Sequence, residues 1–191
     1  DLHSTSRRQR QMCIRDRPAT VKTIDFIESD CEDCFKIWGI SLNGKLPELV
    51  LPEEVKQKTN AVEILPAPQL TMGKATLSGK LLDYKHNYQL NLNAYLCELL
   101  TGNENEIPIE IKEDGSFCTA IDLSAPTSLD LVMGREKIST LFMTPGEDTK
   151  IIINLREISR SQSKLLKQNK PEGEKLYFSG TMAQLLSLIH I

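Results

Sequence analysis

Two cysteines, Cys31 and Cys34, stand two residues apart in the stretch SDCEDCF. This C-x-x-C spacing is used by dithiol oxidoreductases, in which a thiolate attacks a disulfide, and by half of many zinc sites. A redox pair usually starts a helix, because the helix dipole favours the thiolate. Here the pair is followed by the strand-like FKIWGISL, and four acidic neighbours oppose thiolate formation. Two thiols in a turn, free or joined in a small disulfide, are therefore favoured over a catalytic dithiol.

A zinc site would need a second pair of ligands, and Cys97, Cys118 and His86 lack the tandem spacing for it. We therefore predict neither a metal nor a cofactor. Cys97 and Cys118 fall on separate predicted strands, where lone cysteines are most often small core residues. Cys118 is opposite in parity to Phe117, so its alternative position is on the solvated side or against a second layer. The sequence leaves the disulfide pairing of all four cysteines open. His86 lies in the predicted loop DYKHNYQ and is expected to be solvated.

Acidic and aromatic side chains supply the remaining candidates. Five carboxylates are expected to be scattered over loops without forming a glycosidase-like pair: Glu104, Glu106, Asp114, Glu147 and Asp148. The last two, with Thr144, could touch a cation, although surface acids in a turn are the favoured interpretation. Three tyrosines could form an aromatic patch for a sugar or a peptide, although β-propensity explains them as well: Tyr84, Tyr88 and Tyr95.

The two ends of the chain do not resemble the sequence between them. The peptides MCIRD (12–16) and LSLIH (186–190) can be encoded by the two strands of one short DNA element. That element resembles the mosaic end of a transposase-based sequencing adapter. We therefore expect residues 1–17 and 186–191 to be translated adapter, and the rest to be an internal fragment of a longer protein.

The charge balance of the remaining chain is acidic. Without residues 1–17, which hold five arginines and two aspartates, the 23 basic and 26 acidic residues fall to 18 and 24, and the formal net charge moves from −3 to −6. No basic cluster remains, so nucleic acid is not an expected partner. No apolar run is long enough to span a bilayer.

Composition divides the first part of the chain into a hairpin and a linker. Residues 18–46 hold two strand-like runs, VKTIDFI (21–27) and FKIWGISL (35–42), and predict a β-hairpin left over from a truncated β domain. Residues 47–72 contain four prolines and predict a linker.

Residues 73–154 predict an all-β domain. In QLNLNAYL (89–96) the apolar residues alternate with polar ones, as in a sheet with one packed and one solvated face. Isoleucines alternate through 107–111, and an Asp-Gly turn then predicts a hairpin with SFCTAIDL (116–123). Further strands with turns between them follow. We predict an antiparallel β-sandwich, prealbumin-like or Ig-like.

Residues 155–185 read as a helical linker towards a missing C-terminal domain. LREISRSQSKLLKQNK (155–170) lacks glycine and proline and predicts a helix that ends before Pro171 and Gly173. LYFSG (176–180) is expected to begin a new element, with Ser179 or Thr181 capping a helix.

The order of these features resembles the N-terminal part of TlpA-like thiol–disulfide oxidoreductases of the Gram-negative envelope. The resemblance covers nearly all of residues 20–185 and is carried by TIDFIESDCEDCFKIWGISL, LPELVLPEEV, GKATLSGKLLDY, IEIKEDGSF, LFMTPGEDTKIIINLREISR and LYFSG. Within these, the individual motifs are Gly79-Lys80-Leu81, the Asp114–Phe117 turn and the Thr144–Glu147 turn.

The resemblance implies one or more β-sandwich domains ahead of a C-terminal thioredoxin-like domain that carries a W-C-x-x-C pair. No segment here matches that pair. The implied function is a non-catalytic accessory fragment in the periplasm or attached to the outer membrane. Its partners would be the missing thioredoxin-like domain of the same protein and a protein client. Two alternatives stay open: dithiol redox activity through Cys31 and Cys34, and a glycan- or peptide-binding envelope module.

Overall fold

Ten strands and one α-helix, named β1–β10 and α1, account for most of the described chain. The computed structural model describes residues 23–27, 36–41, 48–53, 70–88, 90–98, 101–163, 173–180 and 186. The chain divides into two compact units, residues 1–48 and 49–191. The strands are Thr23–Ile27, Lys36–Ser41, Gly73–Leu82, Leu92–Cys97, Glu104–Ile109, Ser116–Leu123, Thr127–Met133, Glu136–Met143, Asp148–Asn154 and Leu176–Gly180, and the helix is Leu155–Gln162.

The first unit contains β1 and β2, which pair antiparallel as the sequence predicted. The register shifts between Ile24 and Phe26, where one residue of β1 faces two residues of β2, which indicates a β-bulge in β2. Cys31 and Cys34 fall between the two strands and lie outside the described residues.

The second unit is an all-β sandwich of two four-stranded sheets, which confirms the predicted fold class. One sheet has the order β10-β9-β3-β6 and is called the β3 sheet; the other has the order β5-β4-β7-β8 and is called the β4 sheet. Pairing is antiparallel throughout except between β3 and β9, which run parallel. The first sandwich strand thus pairs with the fourth and seventh. In a constant-type Ig domain it pairs with the second instead, so this order is not Ig-like.

Period-two patterning produces the core between the sheets. In β4 the residues Leu92, Ala94 and Leu96 are buried, and the residues between them are half-buried. Burying one such face stabilises a sheet by about 25 cal/mol per Å² of apolar surface. Leu186, the first residue of the segment that resembles adapter sequence, is also buried.

The turn before β6 differs from the expected hairpin. Gly115 has φ +80° as an Asp-Gly turn requires, and the Asp114 carboxylate accepts hydrogen bonds from the Ser116 amide at 3.0 Å and its hydroxyl at 2.6 Å. The predicted turn closes, since the Gly115 amide donates to the Lys112 carbonyl at 2.9 Å and the Lys112 amide donates to the Ser116 carbonyl at 2.8 Å. However, β5 ends at Ile109 and belongs to the β4 sheet, so the turn does not extend into the expected two-stranded hairpin. Only an isolated bridge, Ile111 to Phe117, joins the two segments among the described residues, because the chain crosses between sheets here.

The region after β9 is more strongly attached to the sandwich than the sequence suggested. Helix α1 begins at the cap Asn154, whose side chain accepts a hydrogen bond from the Glu157 amide at 3.4 Å. The helix ends at Gln162, earlier than predicted. The Ser159 and Ser161 hydroxyls bond back to helix carbonyls, a competition that weakens helices.

Strand β10 corrects the interpretation of LYFSG. It pairs antiparallel with β9 along its whole length and forms an edge of the β3 sheet. Ser179 therefore lies in a strand and does not cap a helix. Thr181 lies outside the described residues. In the part of the chain that the structure describes, no helix has the length and apolarity needed to cross a membrane.

Candidate functional site

Of the four cysteines considered, the structure describes Cys97 and Cys118, and both are free and exposed. Cys97 is therefore not the core residue that the sequence favours, whereas Cys118 faces solvent, as its parity opposite to Phe117 allows. Each follows a buried residue in its strand, so each side chain points to the outer face of its sheet. Cys97 belongs to the β4 sheet and Cys118 to the β3 sheet. Packed sheets lie about 10 Å apart, whereas a disulfide needs Cα atoms within about 7 Å.

We expect Cys97 and Cys118 to react as two independent thiols. In a full-length variant with Cys13, Cys31 and Cys34 replaced by serine, Ellman's reagent should titrate two thiols without denaturant, because both side chains are exposed. Air oxidation should yield no disulfide within the monomer. Denatured protein provides the reference count. A native titration of fewer than two thiols, or an internal Cys97–Cys118 bridge found by mass spectrometry, would contradict this expectation.

The sequence-proposed tyrosine patch does not form as a single surface. Tyr84 and Tyr88 meet edge to face with ring centroids 6.4 Å apart, and Lys85 Nζ lies 5.8 Å from the centroid of the Tyr88 ring. Tyr88 is only 1% exposed and is a core residue. Burial raises the pKa of the Tyr84 phenol. Tyr95 instead lies in the middle of β4, and His86 is exposed as expected.

The carboxylates are more ordered than the sequence suggested. Glu104 and Glu106 lie in strand β5, and Asp148 is the first residue of strand β9, so these three carboxylates are not in loops. In the β8–β9 turn, Thr144 Oγ1 and Glu147 Oε2 are buried atoms with no hydrogen-bond partner. Among the residues that the structure describes, no group of three or more His, Cys, Asp or Glu side chains could hold a metal ion.

A cleft of about 300 Å³ opens at one end of the sandwich. It is bounded by the start of β3, the end of β4, the end of β6 and the start of β7. Its lining consists of Met72, Gly73, Leu96, Cys97, Glu98, Asn105, Asp122, Leu123, Ser124 and Thr127. This volume is at the lower limit for small-molecule pockets.

A second candidate is a polar row across the outer face of the β4 sheet. Tyr95 stands directly opposite Glu106 on β5 and Asp130 on β7, and Asp130 stands opposite Thr140 on β8. These four residues, called the Tyr95 row, cross all four strands of the sheet. Neighbouring strands lie about 4.8 Å apart, so the row is about 14 Å long.

Hydrogen bonds hold the β5 side of the Tyr95 row. Asn93 Nδ2 donates to Glu106 Oε1 at 2.7 Å. The hydrogen bond that the Tyr95 hydroxyl donates to Glu106 raises the pKa of Tyr95, because ionisation would remove the donated proton beside a negative charge. Glu106 therefore has two neutral partners.

Asp130 anchors the β7 side of the row. Its carboxylate lies 2.7 Å from Lys137 Nζ and accepts a hydrogen bond from Thr140 Oγ1 at 2.8 Å. A register shift between Leu131 and Val132 places Lys137 opposite Val132, on the same side as Asp130. Partial burial alone would raise the pKa of Asp130, but the bonds from Lys137 and Thr140 outweigh it and lower the pKa.

Replacing Asp130 by asparagine should remove a pH-dependent contribution to stability. A lowered folded-state pKa means that ionised Asp130 stabilises the fold above its unfolded pKa of about 3.9, and that this stabilisation is lost as pH falls towards the folded value. The pair is solvent-exposed, so we expect a cost of about 0.2–1 kcal/mol at pH 7. Urea unfolding should show a smaller difference from wild type at pH 3. Glu104→Gln, on the same face, is the control; an Asp130→Asn cost that is equal at both pH values would contradict the prediction.

Comparison with protein-family models, with curated proteins and with solved structures finds no match to this chain. The candidate site therefore rests on the geometry of the residues alone. Sequence patterning could place Asn93 and Tyr95 on the solvated face of a strand. Sequence patterning could not predict that these residues align with Asp130, because the β4–β7 pairing joins segments that are distant in sequence.

Proposed function

We propose that this chain is a non-catalytic β-sandwich region of a TlpA-like thiol–disulfide oxidoreductase of the cell envelope. Its role would be to position a thioredoxin-like domain or to engage a protein client. The observation that carries the proposal is that the motifs on which the resemblance depends form packing contacts and turns of the sandwich. Gly79 packs beneath the Phe117 ring, and the Asp114 and Thr144 turns shape the sandwich.

The Thr144–Glu147 turn connects β8 of the β4 sheet to β9 of the β3 sheet, and it is hydrogen-bonded to the start of β3. This arrangement supports a scaffolding role. The Gly146 amide donates to the Lys74 carbonyl at 2.9 Å, and the Thr76 amide donates to the Glu147 carbonyl at 3.1 Å. A motif that ties β8 and β9 to β3 in this way fixes the shape of the sandwich.

A positioning role also requires that the chain leave the sandwich along a fixed path. Arg156 on helix α1 reaches Asp83 at the end of β3, with Nη2 at 2.6 Å and Nε at 2.9 Å from Oδ2. The Asn154 amide donates to the Lys175 carbonyl at 2.9 Å, and β10 then pairs with β9. These contacts attach residues 154–156 and 175–180 to the β3 sheet, so a domain that follows β10 would start from a defined place.

The uninterrupted gene provides the test of this proposal. Sequencing genomic DNA beyond both junctions with the adapter-like segments should reveal a thioredoxin-like domain with a W-C-x-x-C pair within a few hundred residues downstream. A gene that continues without such a domain would overturn the proposal.

Insulin reduction by the full chain separates this proposal from the dithiol alternative. The proposal expects no reductase activity above the uncatalysed rate. Activity that is lost on replacing Cys31 by serine, and retained when Cys118 is replaced, would instead support redox chemistry at Cys31 and Cys34.

A further inference from the structure

The outer face of the β4 sheet presents an aromatic ring between two fixed carboxylates. Tyr95 is half-buried at the centre of the face, with Glu106 on one neighbouring strand and Asp130 on the other. Asn93, two residues earlier on β4, points to the same face because side chains alternate along a strand. The ring and the polar groups therefore lie on one face of the sheet, where a ligand could contact all of them at once.

These polar groups are held in place by the protein itself. Asn93 and Tyr95 hold Glu106, while Lys137 and Thr140 hold Asp130. Side chains that are already ordered lose little conformational entropy when a ligand binds. Both carboxylates keep acceptor capacity, because an ionised carboxylate can accept about four hydrogen bonds.

The charges of the face indicate which ligand chemistry fits. The negative charge of Asp130 is matched by Lys137, and Glu106 is bonded to neutral donors. Anionic polymers such as nucleic acid would meet repulsion from Glu104 and Glu106 on the same strand. An uncharged ligand rich in hydroxyl groups could donate to both carboxylates and accept from the Asn93 amide.

We propose that the Tyr95 row binds a neutral oligosaccharide chain. The apolar face of one sugar ring stacks on Tyr95, and hydroxyls on either side donate to Glu106 and Asp130. The row is longer than a single sugar ring, which favours a chain over a monosaccharide. The proposal depends only on the β4 sheet and is independent of any thioredoxin-like partner, so its failure and that of the proposed function are distinguishable.

Affinity electrophoresis of the full chain tests this proposal. Native gels containing soluble neutral polysaccharides (β-glucan, mannan, xylan or starch) should retard the wild-type protein in at least one gel relative to a polysaccharide-free gel. Tyr95→Ala should weaken binding about tenfold or more, because it removes the stacking surface. Tyr95→Phe keeps the ring but not the bond to Glu106 and should show an intermediate loss.

Tyr177→Ala is the matched control, since Tyr177 is a half-buried tyrosine on β10 at the edge of the other sheet. It should bind as wild type does. Circular dichroism and thermal unfolding of each variant separate loss of binding from loss of fold. Absence of retardation in every gel overturns the proposal, as does equal weakening by Tyr95→Ala and Tyr177→Ala. Binding of a lysine-rich peptide through the Tyr95 row, without polysaccharide binding, would identify an acidic protein-docking face instead.

Discussion

Replacement of Gly79 by alanine is expected to destabilise the sandwich by about 3 kcal/mol, the upper part of the usual range for overpacking a core. Gly79 lies in the central strand β3 at an inward-facing position, between Leu77 and Leu81. A Cβ at this position would collide with the Ile151 carbonyl oxygen of the parallel neighbour β9 and would lie 2.5 Å from Cζ of Phe117. The backbone oxygen cannot move without disturbing the β3–β9 pairing.

Urea unfolding of the full chain, followed by far-UV circular dichroism, measures this cost. The matched control is Ser78→Ala, one residue earlier on the outer face of the same strand, which should lie within about 0.5 kcal/mol of wild type. If the Gly79→Ala and wild-type proteins unfold at the same urea concentration, the close packing described for β3 against β9 and β6 is contradicted. An insoluble Gly79→Ala protein beside a soluble Ser78→Ala protein would agree with the prediction.

The space at Gly79 illustrates why the sequence predicted the strands better than their arrangement. Local alternation was sufficient to identify β4 and to place β6 at residues 116–123, as the structure has it. The parallel pairing of β3 with β9 brings together segments about 70 residues apart, and no local pattern records such a pairing. The need for glycine at position 79 exists only because β9 and Phe117 occupy the adjacent space.

The difference between local pattern and pairing of distant segments also explains where the sequence predictions are wrong. Five-residue β10 carries too short a pattern to indicate a strand, and it is stabilised by its pairing with β9. The alternating isoleucines predict a strand from Ile107 onwards, but the edge strand β5 already starts at Glu104; its acids, and Pro108 within it, are unfavourable for a strand. Proline is tolerated at an edge because one side of the strand makes no ladder bonds.

The Tyr95 row depends on strand register even more strongly than the packing at Gly79 does. Alternation in the sequence predicts that Tyr95 lies on a solvated face, but it predicts a loop position for Glu106 and gives no indication that Asp130 lies beside Tyr95. Their alignment requires that β4 lie between β5 and β7. A shift of one residue in the β4–β5 or the β4–β7 pairing would turn the partner side chain to the opposite face, and the Tyr95 row would no longer form.

Replacement of Phe117 by alanine should destabilise the sandwich strongly, by roughly 3–5 kcal/mol. Phe117 is 2% exposed and lies on β6 opposite Gly79. Alanine would leave a cavity that the rigid backbone of β3 cannot fill. Phe142→Ala provides the control, because Phe142 is half-buried on β8 and its loss should cost distinctly less. Equal costs for the two phenylalanines in urea unfolding would contradict the assigned core.

The double variant Gly79→Ala/Phe117→Ala tests whether the two residues form one packing unit. Removing the ring eliminates the contacts of the new Cβ with Cζ and Cε1 of Phe117, whereas the contact with the Ile151 carbonyl remains. The combined loss of unfolding free energy should therefore be smaller than the sum of the single losses, by about 0.5–3 kcal/mol. Because the backbone contact persists, the double variant should still be less stable than Phe117→Ala alone. Strict additivity would show that the ring does not limit the space at Gly79, and that the glycine is required by the approach of β9 alone.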